Sequence, residues 1–228
     1  MRLNIHFLEA EGALGPWHAA LQTQADAVAD RIAEIVSPKF GRHPVDVIIQ
    51  YLPDETIPEL GFGGSCFRRG LVTISLDPEA SGFEDGLARG IFRRTLAHEL
   101  HHAMRWDACG YGLSLGEAFV SEGFADVFSC TVTGVSVPPW ANTSIYADWA
   151  AVLDQAERER DSHDYDHAAW FFGTGELPRW AGYTIGYHLA RLYGQANPEA
   201  AARGMIDTSA AAVLTFWVAL KANALADR

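Results

Sequence analysis

A chain of 228 residues that is 49% hydrophobic, with seven Trp and twelve Phe, can build one sizeable core and is too apolar to be disordered. Its formal net charge of -12 argues against a nucleic-acid groove, which needs clustered Lys and Arg to neutralise phosphates. The basic pairs Arg68-Arg69 and Arg93-Arg94 are short and read as solvated faces.

The first residues, Met1 to Glu9, lack the apolar stretch of a signal peptide, because polar residues interrupt every apolar run. Leu3 to Leu8 alternates apolar and polar positions and is predicted as a strand. Trp17, Leu21, Val28, Ile32 and Ile35-Val36 then fall near helical spacing, with Pro38 as the stop. Val45 to Leu52 is a second strand, rich in β-branched residues and closed by Pro53. The glycine-bearing stretch Gly61 to Ser65 reads as a loop before a third strand, Leu71 to Leu76, which Asp77-Pro78 ends. From Glu84 to Asp107 the pattern is helical and apolar on most sides, so this helix belongs in the middle of a fold.

A further helix is expected from Leu115 to about Cys130, and another opens at Trp149 after the Pro138-Pro139 loop. Helices over Trp180 to Tyr193 and Pro198 to Ala226 complete the chain. Asn197 is the expected cap of the latter and Pro198 its first residue. With strands confined to the first third, the expected class is α+β, one domain over 1–228 with its sheet in about 1–110 and its helices in about 111–228. The three cysteines, Cys66, Cys109 and Cys130, are odd in number and show no CxxC pairing, which suits buried or half-buried free thiols in a reducing compartment. No run of about eighteen apolar residues offers a membrane span. The expected address is therefore the cytoplasm, with no membrane partner.

Chemistry concentrates at His98-Glu99-Leu100-His101-His102. On a helix, positions i and i+4 share a face, so His98 and His102 can both place a ring nitrogen on one Zn²⁺. Glu99 lies about 100° round the helix, near enough to serve a water at that metal without ligating it. His101 falls outside this pattern and is assigned to packing or to the surface. A catalytic zinc needs a third protein ligand and an open position. Glu122, on the following helix, is the candidate ligand; Asp126, one turn on, is the expected acceptor for the free N–H of a ligating imidazole. Gly123 and Ala125 would let that helix approach the first closely, and Glu117 is expected in solvent. His163 and His167 form a second i, i+4 pair but sit in a polar, loop-like context.

HExxH followed about twenty residues later by a helical Glu and an Asp four further on resembles the gluzincin arrangement of thermolysin-like metallopeptidases. Leu96 to His102 together with Ser121-Glu122-Gly123-Phe124-Ala125-Asp126 more closely resembles a family of small bacterial proteins predicted to be zinc-dependent proteases. Gly182-Tyr183-Thr184-Ile185-Gly186-Tyr187 is similar to that family's C-terminal helix, so the resemblance spans about residues 70 to 190. It implies a zincin-like core, bound zinc and peptide-bond hydrolysis. It also favours Tyr183, over Tyr187 and His188, as the donor to a developing oxyanion. In zincins an extended substrate pairs with a strand edge near the active-site helix, a place Leu71 to Leu76 would fill. Residues Ala103 to Asp107 lack the third His of a metzincin.

The expectation is a peptidase acting on peptides or proteins, with Glu99 as general base. The alternative is a zinc-containing binding or regulatory module of the same fold without turnover, in which an intact Glu99 would have no use.

Overall fold

The computed structural model describes residues 1–135 and 137–226. The chain divides into two compact units, Met1–Ala108 with Phe128–Ser136, and Cys109–Val127 with Val137–Arg228.

The first unit is built on a mixed four-stranded sheet. Strands β1 (Leu3–Leu8) and β2 (Val45–Tyr51) are parallel neighbours connected through helix α1 (His18–Ile35). Next come β3 (Phe62–Arg68) and β4 (Leu71–Leu76), in the spatial order β1-β2-β4-β3. β4 runs parallel to β2 and antiparallel to β3. Val45, Val47 and Ile49 turn inward while Asp46 between them is exposed, the period-two signature of a half-buried strand. Val72, Ile74 and Leu76 are fully buried, as expected of an interior strand.

Two expectations are corrected here. Gly61 to Ser65 is not a loop: from Phe62 onward it pairs with β4, Gly63 opposite Ser75 and Gly64 opposite Ile74. The glycines suit that strand because neighbours crowd them, a Cβ on Gly63 falling 1.9 Å from the Glu55 carbonyl oxygen. Leu71 to Leu76 is consequently an interior strand, and β3 is the sheet edge on that side.

The helix expected over Glu84 to Asp107 is two helices, α2 (Phe83–Arg89) and α3 (Ile91–Ala108). Gly90 divides them with a left-handed φ of 86°, its N–H capping α2 through the carbonyls of Gly86 and Leu87. Helix α3 lies against β3, β4 and α1, which explains its apolar character on most sides. Phe92, Leu96, Ala97, Leu100 and Met104 are buried. Arg94 is also buried, so of the two basic pairs only Arg68-Arg69 is exposed throughout. Trp106, near the end of α3, donates its indole N–H to the Cys66 carbonyl of β3 at 3.1 Å.

Helix α4 (Leu115–Thr133) is one continuous element that contributes its residues from Phe128 onward to the first unit. The second unit adds α5 (Trp149–Glu159), α6 (His167–Phe172), α7 (Ala181–Ala196), α8 (Pro198–Ala202), α9 (Ala210–Leu214) and α10 (Trp217–Ala226). Its core gathers Phe119, Phe124, Trp170, Phe171, Ile185, Leu189 and Trp217. The helix expected from Pro198 to Ala226 is thus three short ones. Asn197 stands at the N-cap of α8 with Pro198 as its first residue, as expected, but its side chain makes no cap hydrogen bond: the amide donates back to the Tyr193 carbonyl at 2.9 Å, at the end of α7. Cys109 is exposed and not half-buried as expected. No helix of the described residues is long and apolar enough to cross a membrane.

Candidate metal centre

Helix α3 brings its functional side chains together by helical geometry alone. The Nε2 atoms of His98 and His102, one turn apart, face each other at 3.1 Å. Glu99 is buried, 7% exposed, and beside it on β3 is Gly64. A Cβ on Gly64 would stand 2.7 Å from Glu99 Oε1 and Cγ, so the bare backbone there is what makes room for the carboxylate. His101 takes the packing role assigned to it. It is fully buried, its ring 5.0 Å from that of Phe128 on α4.

Helix α4 carries Glu122, and its start is held by a capping box. Ser114 Oγ accepts from the Glu117 N–H, while Glu117 Oε2 accepts from the N–H groups of Ser114 and Leu113. Glu117 is therefore half-buried and engaged, not solvated as expected. Those two backbone N–H groups hold its carboxyl below the ordinary range. Glu122 is buried, and Tyr111 donates its hydroxyl to Glu122 Oε1 at 2.7 Å. Burial first, and then the negative charge of Glu122, push the Tyr111 phenol well above its usual range, so it remains a donor. The Tyr165 phenol is raised for the same two reasons. His167, whose ring stacks on Phe171 at 4.4 Å, is lowered by burial against the opposing charge of Glu122.

Asp126 is buried, and its Oδ2 accepts the Trp140 indole N–H at 2.6 Å. The Trp140 ring lies 5.3 Å from that of Tyr183 on α7. A Cβ on Gly123 would fall 1.9 Å from the Gly186 carbonyl oxygen, so its missing side chain lets α4 meet α7.

Among the described residues, one set of three or more His, Cys, Asp or Glu side chains could hold a metal ion: His98, His102 and Glu122. Their ligand atoms all lie within 4.8 Å of one another. His102 and Glu122 are buried and His98 is half-buried. Two imidazoles and a carboxylate are a donor set of hydrolytic zinc sites. Two nitrogens at about 2.0–2.1 Å from a tetrahedral zinc stand about 3.3 Å apart, close to the 3.1 Å between the histidines. The residues present fit the ion. His163 and His167 are not part of any such set; His163 stays in a loop, whereas His167 opens α6.

Tyr111 and Tyr165, which interact with Glu122, and Gly64 beside Glu99 are the residues that sequence reasoning missed. Only the Gly110-Tyr111-Gly112 punctuation before α4 offered any signal, since an aromatic between two glycines marks a shaped turn.

The model of a protein family described as predicted Zn-dependent protease (DUF2268) matches residues 28–215. No curated protein and no solved structure matches the chain.

Proposed function

The chain belongs to this family of predicted Zn-dependent proteases, and on that premise we propose that it is a gluzincin-type peptidase with a zincin-like core, in which His98, His102 and Glu122 hold zinc and Glu99 is the general base. The observation that carries the reading is the convergence of those three ligand atoms within 4.8 Å, with a buried carboxylate on the residue after His98. When bound, zinc supplies a Lewis acid that polarises the scissile carbonyl and acidifies water.

Glu99 takes a proton from the attacking water and returns it to the leaving amine. Gly64 keeps the space in which that carboxylate moves. The outer edge of β3 receives the extended substrate as an added strand, its main chain supplying the hydrogen bonds. Tyr183 donates to the developing oxyanion. It is favoured over its two rivals because its ring lies 5.3 Å from that of Trp140, whose indole N–H meets Asp126 one turn beyond Glu122. Tyr187 and His188 instead line a groove of about 750 Å³ with Pro138 and Leu220. Asp126 acts as an outer acceptor that steadies a ligating imidazole.

The test is cleavage of an unstructured peptide library, profiled by mass spectrometry, with wild type and Glu99→Gln compared at equal zinc content. The amide keeps the side chain's volume and removes the proton acceptor. Cleavage should fall by about 10²–10⁴-fold, the usual share of general-base catalysis. Equal cleavage by the two proteins would remove Glu99 from the mechanism. No cleavage by a zinc-loaded wild type would favour a binding module.

A further inference from the structure

Tyr111 is brought to Glu122 by a loop built for that purpose. Gly110 and Gly112 flank it with φ of 77° and 105°, both in the left-handed region that β-carbon-bearing residues avoid. At Gly112 there is also no room for a side chain, since a Cβ would stand 2.3 Å from that of Glu117. The next two residues are tied to α4 by the Glu117 carboxylate, which accepts from the N–H groups of both Leu113 and Ser114. The chain is thus folded back over the first turns of α4. It delivers a half-buried phenol to a buried carboxylate eleven residues further on, at 2.7 Å.

We propose that Tyr111 is a positioning residue for the metal centre: its hydroxyl engages Oε1 of Glu122 and so orients the carboxylate to offer its other oxygen to zinc. This rests on the zinc reading above. A carboxylate on a helix can rotate about its own bonds. A charge-assisted hydrogen bond to one oxygen removes most of that freedom and fixes which lone pairs remain for an ion. Partners of this outer kind typically change metal affinity by about 10–100-fold.

The experiment uses the full chain, stripped of metal and titrated with zinc against a chromophoric chelator, for wild type, Tyr111→Phe and Tyr165→Phe. Tyr165 is the control, a nearby phenol that feels the charge of Glu122. Tyr111→Phe keeps the ring and its packing and should weaken zinc binding about 10–100-fold. It should also shift the visible absorption of the Co²⁺-loaded protein, which reports on ligand geometry. Tyr165→Phe should leave both readings at the wild-type values. Unchanged zinc affinity and Co²⁺ spectrum in Tyr111→Phe, with a wild type that binds zinc, would overturn the positioning role. Equal losses in the two variants would overturn it too, since a general disturbance of the pocket would then suffice. A wild type that takes up neither ion would overturn the zinc reading itself, a result distinguishable from both.

Discussion

In α3 the spacing of one helix brings His98 and His102 together, their Nε2 atoms 3.1 Å apart, with Glu99 on the next position. In α4, by contrast, Glu122 is oriented by Tyr111 from a preceding loop, and its helix is seated against α7 through Gly123 and Gly186. The first arrangement needs only an intact helix, because i, i+4 contacts follow from 3.6 residues per turn. The second depends on long-range packing, a glycine-shaped loop and a cap. A local site should therefore fail through its ligands alone, and a tertiary one also through residues that never touch the ion.

The largest expected effect is at α3. His102→Ala removes half of the histidine pair, and zinc measured by elemental analysis should fall from about one equivalent to near zero while the helix persists by circular dichroism. Retention of zinc would mean that the i, i+4 pair is not the heart of the centre.

Next comes Gly123→Ala, which touches no ligand. Its new methyl would meet the Gly186 backbone, where neither side can give way. Overpacking of this kind should cost about 3 kcal/mol and lower the melting temperature by about 6–12 °C. A melting temperature within a degree of wild type would show that α4 can shift away from α7 freely and that Glu122 does not depend on this packing.

The smallest effect is at the cap. The Glu117 carboxyl is held below its ordinary value of 4.5 by the backbone N–H groups of Ser114 and Leu113. It thus contributes stability that is present above that value and lost as pH falls through the depressed one. Glu117→Gln should flatten this acid limb by less than about 1 kcal/mol, since the side chain is partly open to solvent. Denaturant unfolding measured between pH 7 and pH 3 would check this, and an unchanged slope would remove Glu117 from the acid response.

How much of this could be read in the chain itself differs between elements. The interior strands Val45 to Leu52 and Leu71 to Leu76 announced themselves through β-branched alternation, and both are strands within a residue of the expected bounds. β3 did not, because Gly63 and Gly64 look like a turn and only their pairing with Ser75 and Ile74 makes them a strand. The break at Gly90 was hidden for the opposite reason: apolar periodicity continues across it, and one left-handed residue ends a helix without disturbing the pattern.

The sequence by itself determined the α+β class and the grouping of His98, Glu99 and His102, since both follow from periodicity within a few consecutive residues. It also singled out Glu122 and Asp126 by their shared helical face. Only the tertiary structure decided that Arg94 is buried, that β3 and not β4 is the outermost strand on that side, and that Asp126 meets Trp140. It likewise decided that Tyr111 reaches Glu122 and that Gly123 serves α7. The physical reason is one of range. Hydrogen-bond ladders and helical faces are set by neighbours along the chain, whereas the partner of a buried polar group is chosen by whatever the fold places within about 3 Å of it.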